Sequence, residues 1–300
     1  MIKINFVFGL FFVTALTVAQ SDSEKKFISL ESNYLRYAEQ FPSDLNGLEV
    51  LGDLYGSYGK WEKAMEIYSQ LKQRDPYNAN YHFKYGGVVG MLAREGSKFK
   101  ALSRVNEAKK AFTKAETLDS KHWQVQWAQV ELYAQLPAIL GGSYEKAWVH
   151  AERLEQLSKV NGCFAKAYLF DLQQSPENSK IYSLKGLSLV MKSECYDAKS
   201  EVLFSCFPHN NNLIYQIAIA FEKEASNPKQ AAIFFDKYIA DYTPKDRLEL
   251  DQAHFRLAKL YIKMNRLNMA LENLDMALKI NPSFQDAKRE KNLILTKKEP

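Results

Sequence analysis

Cysteine is scarce in this chain of 300 residues, which has only Cys163, Cys195 and Cys206. Three thiols cannot all pair within one chain, so a disulfide-stapled scaffold is excluded. Cys195 and Cys206 can close a small loop and leave Cys163 buried; three unpaired core thiols are the competing reading. Charge of one sign is also missing. Lys and Arg number 40 against 35 Asp and Glu, interspersed, and the net +5 implies no nucleic-acid or membrane-surface field. No segment alternates apolar and polar residues as a half-buried strand does, which argues against β structure. Chemistry-bearing patterns are absent too: no paired carboxylates, no Gly-x-Ser-x-Gly, no zinc-protease helix. His82, His122, His150, His209 and His254 are scattered, and Cys206 with His209 offers two ligands, too few for a metal site. Gly86-Gly87-x-x-Gly90 lacks the following Lys-Ser/Thr of a phosphate loop. No enzyme activity, metal or cofactor is expected. The basic tail from Lys288 reads as a solvated helix end.

What is present starts with an unusual N-terminus. Lys3 precedes the apolar run Phe6 to Val18, and small residues follow it. A membrane span needs roughly 20 apolar residues, more than this run supplies. The pattern is that of a secretory signal peptide over about 1–19 or 1–20, so the mature chain is expected to be exported, periplasmic or extracellular, with no membrane insertion after cleavage. Beyond it, 46% hydrophobic and 25% charged residues are ordinary for a globular chain.

The mature chain repeats itself. Gly52, Tyr55, Ala64, Tyr68 and Pro76 recur in spacing as Ala258, Tyr261, Ala270, Leu274 and Pro282, and Gly86 follows Gly52 by 34 residues. Small residues at Gly52 and Ala64 let two helices cross closely, the tyrosines fill the space between turns, and Pro76 stops the second helix. This small–aromatic–small–aromatic–Pro pattern resembles the tetratricopeptide repeat family. The resemblance implies an all-α solenoid of antiparallel helix pairs stacked into a superhelix with a concave groove.

The repeats differ in regularity. A first helix is expected over 24–41 and the cleanest pair over 45–78. In the second repeat ten extra residues are expected between the helices, around REGSKFKALS. The third has about five extra at LPAILGGSYEKA, where Pro137 ends a helix and Ser143 caps the next. Two pairings compete in the middle. Either 162–174 stands alone before a degenerate repeat over 179–212, with a bend or break there, or 162–174 pairs with 177–191 and leaves 194–206 unpaired. Regularity returns at Asn212, with a final repeat over 251–284 and a capping helix over 285–298. The expected organisation is a signal peptide over 1–20, an N-terminal array over 21–160, an irregular connector over 161–211 and a C-terminal pair with its cap over 212–300.

By the same resemblance, positions 2, 5, 9 and 12 of each first helix face the ligand. Those nominated as partner-binding are Glu49 and Asp53 in the first repeat, Asn80, Phe83, Gly87 and Gly90 in the second, and Trp127 and Glu131 in the third. Phe83 and Trp127 would be aromatic anchors beside carboxylates. Trp127 can instead pack inside a helix pair, and Trp123 competes with it for either role. Gly87 and Gly90 cost about 1 kcal/mol each in a helix interior; close approach of a neighbouring helix is the favoured reason, close approach of a ligand the other. The Lys/Asn clamp with which chaperone-binding members hold a terminal carboxylate is missing at these positions, so an acidic tail is disfavoured.

The expected function is a non-catalytic, exported scaffold that binds a protein or peptide partner in its groove, and not nucleic acid. The alternative is an accessory subunit of a periplasmic small-molecule transport system, forming a ligand pocket or pore. It is motivated by the insertion in the third repeat and the glycine-rich helix of the second. The segment LPAILGGSYEKA looks like one in exported bacterial tetratricopeptide proteins, some of which accompany substrate-binding subunits of transporters. A thiol role for the cysteines is a third reading.

Overall fold

The structure is a computed structural model that describes residues 10–194, 204, 211–244, 246 and 248–298. Among the described residues it has fourteen α-helices, one 3-10 turn and no strand. The helices are α1 (Leu10–Gln40), α2 (Leu45–Ser57), α3 (Trp61–Arg74), α4 (Ala79–Glu95), α5 (Lys98–Leu118), α6 (Trp123–Gln135) and α7 (Tyr144–Leu157). They continue as α8 (Lys159–Leu172), α9 (Pro176–Met191), α10 (Asn211–Lys223), α11 (Pro228–Ala240), α12 (Leu250–Lys263), α13 (Leu267–Ile280) and α14 (Gln285–Lys298). Each packs mainly on its neighbours in sequence, and α2 to α13 form six hairpin pairs flanked by α1 and α14. The chain is an α-solenoid.

Local chemistry sets the helix ends. Asp44, Asn78, Ser143 and Asn227 cap α2, α4, α7 and α11 by accepting hydrogen bonds from backbone N–H groups of the first turn. Pro176 and Pro228 stand at helix starts, where a missing N–H costs nothing. Inside the pairs, a Cβ on Gly52 would lie 2.9 Å from the Tyr68 ring, and one on Gly86 2.8 Å from the Phe112 ring. Ala64 and Ala108, opposite them, are completely buried. The solenoid curls far enough that Gly59, at the turn after α2, packs on Pro244 before α12.

Three expectations change. The ten extra residues of the second repeat do not form a loop between its helices. They lengthen them, so that α4 has 17 residues and α5 has 21, with Gly96 and Ser97 between. Of the two pairings left open in the middle, α8 packs against α9. The region 162–174 is therefore paired and does not stand alone. Ala198, Val202 and the rest of 195–203 lie outside the described residues. The helix expected to start at residue 24 starts at Leu10.

The apolar core is divided. One cluster runs from Phe27 to Val125, the other from Trp127 to Ile294, so the division falls within α6. A buried polar seam fills the gap. Gln126 and Gln129 on α6, 2% and 3% exposed, donate to the Glu116 carboxylate of α5 at 3.1 and 2.9 Å. From α7, Arg153 pairs with Glu116 and His150 bonds the Gln126 side-chain oxygen at 2.8 Å. Hydrogen bonds thus join α5 to α6 and α7 where apolar contact is thin, as buried polar groups require.

The seam is sensitive to acid. Burial, with Arg153, lowers the His150 pKa below its ordinary 6.5 against the pull of Glu116. Burial raises the Glu116 carboxyl, but the amides of Gln129 and Gln126 and the charges of His150 and Arg153 outweigh it and leave the pKa below 4.5. Both groups bind fewer protons folded than unfolded, so each destabilises the fold as pH falls, His150 from about 6.5 downward and Glu116 from about 4.5 downward. Thermal midpoints measured from pH 7.5 to 5.0 should fall, and His150→Gln should flatten that slope. His122, also lowered by burial, contributes in the same direction. A variant slope equal to wild type would refute the assignment to His150.

Candidate functional site

The nominated residues lie on α2, α4 and α6, the first helices of the N-terminal pairs. On α2 and α4 these residues bond to one another. Lys84 donates to Glu49 Oε1 and to Asp53 Oδ2, both at 2.6 Å, and Asn80 donates to Glu49 Oε1 at 2.7 Å. The Tyr68 hydroxyl, from α3, donates to Asp53 Oδ1 at 2.6 Å. Burial, then the charge of Asp53, pushes the Tyr68 phenol far above its ordinary pKa, so it remains a donor. Glu49, Asp53 and Asn80 are therefore not idle groove groups but members of a cross-helix ladder centred on Lys84. Sequence reasoning missed Lys84, although its place one turn after Asn80 puts it on the same helix face. The ladder also bears on acidic tails. The amide and ammonium that could hold a terminal carboxylate are both occupied by Glu49.

Trp127 is a correction. It is 5% exposed, part of the second core cluster, and its indole N–H donates to Glu131 Oε1 at 3.0 Å. Packing inside the array claims it because a side chain of that size, placed where α6 meets the second core, removes more apolar surface from water there than on an open face. Phe83 is half-buried, with its ring centroid 6.2 Å from Phe112 and 5.0 Å from His122. It keeps an accessible edge.

Gly87 and Gly90 overturn the packing explanation. A Cβ at either, or at Gly56 on α2, would meet nothing within 4 Å. Gly86, one residue away, points into the pair. The α4 face thus has bare backbone with open space above it, beside Phe83 and the ladder.

The remaining chemistry is quiet. Cys163 is fully buried with Sγ 3.9 Å from Glu155 Oε1, and burial raises its thiol pKa, so it is a poor nucleophile. Cys195, Cys206 and His209 lie outside the described residues. Among the described residues no three His, Cys, Asp or Glu side chains gather as a metal site. Two shallow concavities lie on the outer faces of α14 and α1, away from Gly87, Gly90 and Gly141.

Residues 252–284, covering α12, α13 and the turn after them, match the sequence family described as the tetratricopeptide repeat. The chain carries a tetratricopeptide repeat there. One solved structure bears out the fold. The APC/C hetero-tetramer Cut9–Hcn1 aligns with a TM-score of 0.51 at 15% identity, over 98% of this chain and 51% of that one, so this chain spans about half its length. A thermophilic tetratricopeptide protein of Thermus thermophilus aligns at 0.49 and 15% identity over 70% of this chain and 99% of that one. One from Parabacteroides merdae ATCC 43184 aligns at 0.45 and 13% over 95% and 99%. No curated protein matches the chain significantly.

Within the tetratricopeptide pairs, neighbouring glycines should respond oppositely. Gly86→Ala should destabilise by about 2 kcal/mol, because the new methyl overlaps the Phe112 ring. Gly87→Ala and Gly90→Ala should each stabilise by about 1 kcal/mol, the helix-propensity gain without a clash. Urea denaturation followed by circular dichroism measures both. Destabilisation by Gly87→Ala would mean that the face is not open.

Proposed function

We propose that this tetratricopeptide protein is an exported, non-catalytic scaffold that holds an extended protein segment against the face of α2, α4 and α6. The observation that carries the reading is the open backbone at Gly56, Gly87 and Gly90 beside the half-buried Phe83. Helix-interior glycines that pack on nothing are a stability cost, and room for a partner's close approach is a physical reason to keep them. The ladder holds two carboxylates against one lysine, and Asp53 stays half-exposed. A segment with a lysine or arginine suits that surface better than an acidic tail.

The accessory-transport reading needed a closed pocket beside the glycines. Open space over Gly87 and Gly90 favours the scaffold reading over it.

Filling the face tests the scaffold. With the chain as bait in envelope extracts, wild type should retain a discrete partner that Gly87→Gln/Gly90→Gln loses while its circular dichroism is unchanged. Identical recoveries from both would sink the proposal. Export rests on the pattern of residues 1–20, and no described helix is long and apolar enough to cross a membrane. The protein recovered from expressing cells should have a mass short by residues 1–19 or 1–20; an intact N-terminus would overturn export.

A further inference from the structure

Both insertions in the array fall on one edge. The turns within pairs, after α2, α4 and α6, share that edge because the first helices run in parallel. There α4 and α5, with 17 and 21 residues, outreach α2 and α3, with 13 and 14. At 1.5 Å per residue the longer hairpin overhangs its neighbour by roughly 6 to 10 Å. It meets the second insertion directly, since Lys109 Nζ donates to the carbonyls of Leu140 and Gly141 at 2.7 and 3.2 Å.

The edge is apolar at its tips and basic around them. Phe99 is 101% exposed, Ile139 90% and Leu102 52%. Helical spacing puts Phe99, Leu102, Lys109, Lys110 and Lys114 on one broad face of α5 that includes no carboxylate. Helix α5 has six basic residues against two acidic, a net +4 in a chain whose total is +5. Its two carboxylates are engaged, Glu107 by the Tyr85 hydroxyl and Glu116 by the polar seam. Lys100, Lys110 and Lys114 make no ion pair among the described residues, and the exposed Glu95 at the end of α4 pairs with Arg94. Lys109 and Lys146 add to the field, each 5.5 Å from the Tyr133 ring, with Glu145 the exposed carboxylate in the first turn of α7.

We propose that the outer face of α5 running back from this edge, with the Ala138–Leu140 turn beside it, docks the protein peripherally on an anionic lipid bilayer, with Phe99, Leu102 and Ile139 entering the interface and the lysines of that face meeting headgroup phosphates. Charge complementarity selects the anionic surface: α5 alone carries a net +4, and each lysine near such a surface strengthens partition about fivefold. The form of the tips favours lipid over protein. They protrude with no wall of neighbours, and a fluid interface accepts such knobs without a matching pocket. The edge is distinct from the α2, α4, α6 face, so either proposal can fail alone.

Co-sedimentation of the full chain with vesicles of phosphatidylcholine, alone or mixed with phosphatidylglycerol, tests the inference. The N-terminal apolar run contributes to both compositions and depends little on salt, so the informative quantity is the anionic-to-neutral ratio. Wild type should favour the phosphatidylglycerol vesicles at least tenfold at low salt, with the preference shrinking at high salt. Lys110→Glu/Lys114→Glu should abolish the preference, and Phe99→Ser/Ile139→Ser should lower binding to anionic vesicles at least fivefold, all with unchanged helical circular dichroism. Equal partition into both lipids, or variants that bind like wild type, overturns the proposal. Lysine-dependent binding of polyglutamate without vesicle affinity would assign the edge to an acidic protein and overturn it as well.

Discussion

Close crossing within each helix pair is the contact on which the rest of this solenoid depends. Where Gly52 meets Tyr68 and Gly86 meets Phe112, no room remains for even one methyl. Fully buried Ala64, Ala108, Ala147, Ala231 and Ala270 recur through the same array. Small residues let the backbones approach, and the aromatic ring opposite fills what they leave. The hairpin so formed buries only part of its apolar surface, so it stacks on the next, and stacking produces the shared face of α2, α4 and α6.

Stacking is not uniform, and the exceptions are polar. Between α5 and α6 the apolar core stops, and Glu116, Gln126, Gln129, His150 and Arg153 satisfy one another across the gap. Such a seam costs more to bury than an apolar contact, but once fully bonded it allows a single register. A similar economy governs the face of α2 and α4, where one lysine, Lys84, bonds both Glu49 and Asp53 and leaves one negative charge over. Much of the polar chemistry there joins α2 to α4, and bare backbone and the half-exposed Asp53 are what remain accessible.

The pair at 45–78, the final pair and the capping helix were legible because their signature is local. Gly52, Tyr55, Ala64 and Tyr68 each contact a residue within one repeat, so spacing alone reports the contact. The nominated site was less legible. Glu49, Asp53 and Asn80 do lie together, but the group joining them comes from a position outside the ligand-facing pattern. Trp127 could not be assigned from periodicity, because packing and exposure share the same helical spacing and only the neighbouring helices distinguish them. The extra ten residues of the second repeat could be counted but not shaped. KFKALS is as compatible with helix as with loop, and pairing with α4 settled it.

By itself the sequence determined that this is an all-helical array of tetratricopeptide type, which part of it is regular, and that no catalytic motif stands out. Those properties follow from composition and from contacts a few turns apart. Only the tertiary structure decided that α8 pairs with α9, that Trp127 belongs to the core, that Gly87 and Gly90 face open space, and that the positive charge gathers on α5 beside bare apolar tips. Each of these depends on which surfaces neighbouring helices cover. Coverage is a property of the stacked array, and a period read along one chain does not contain it.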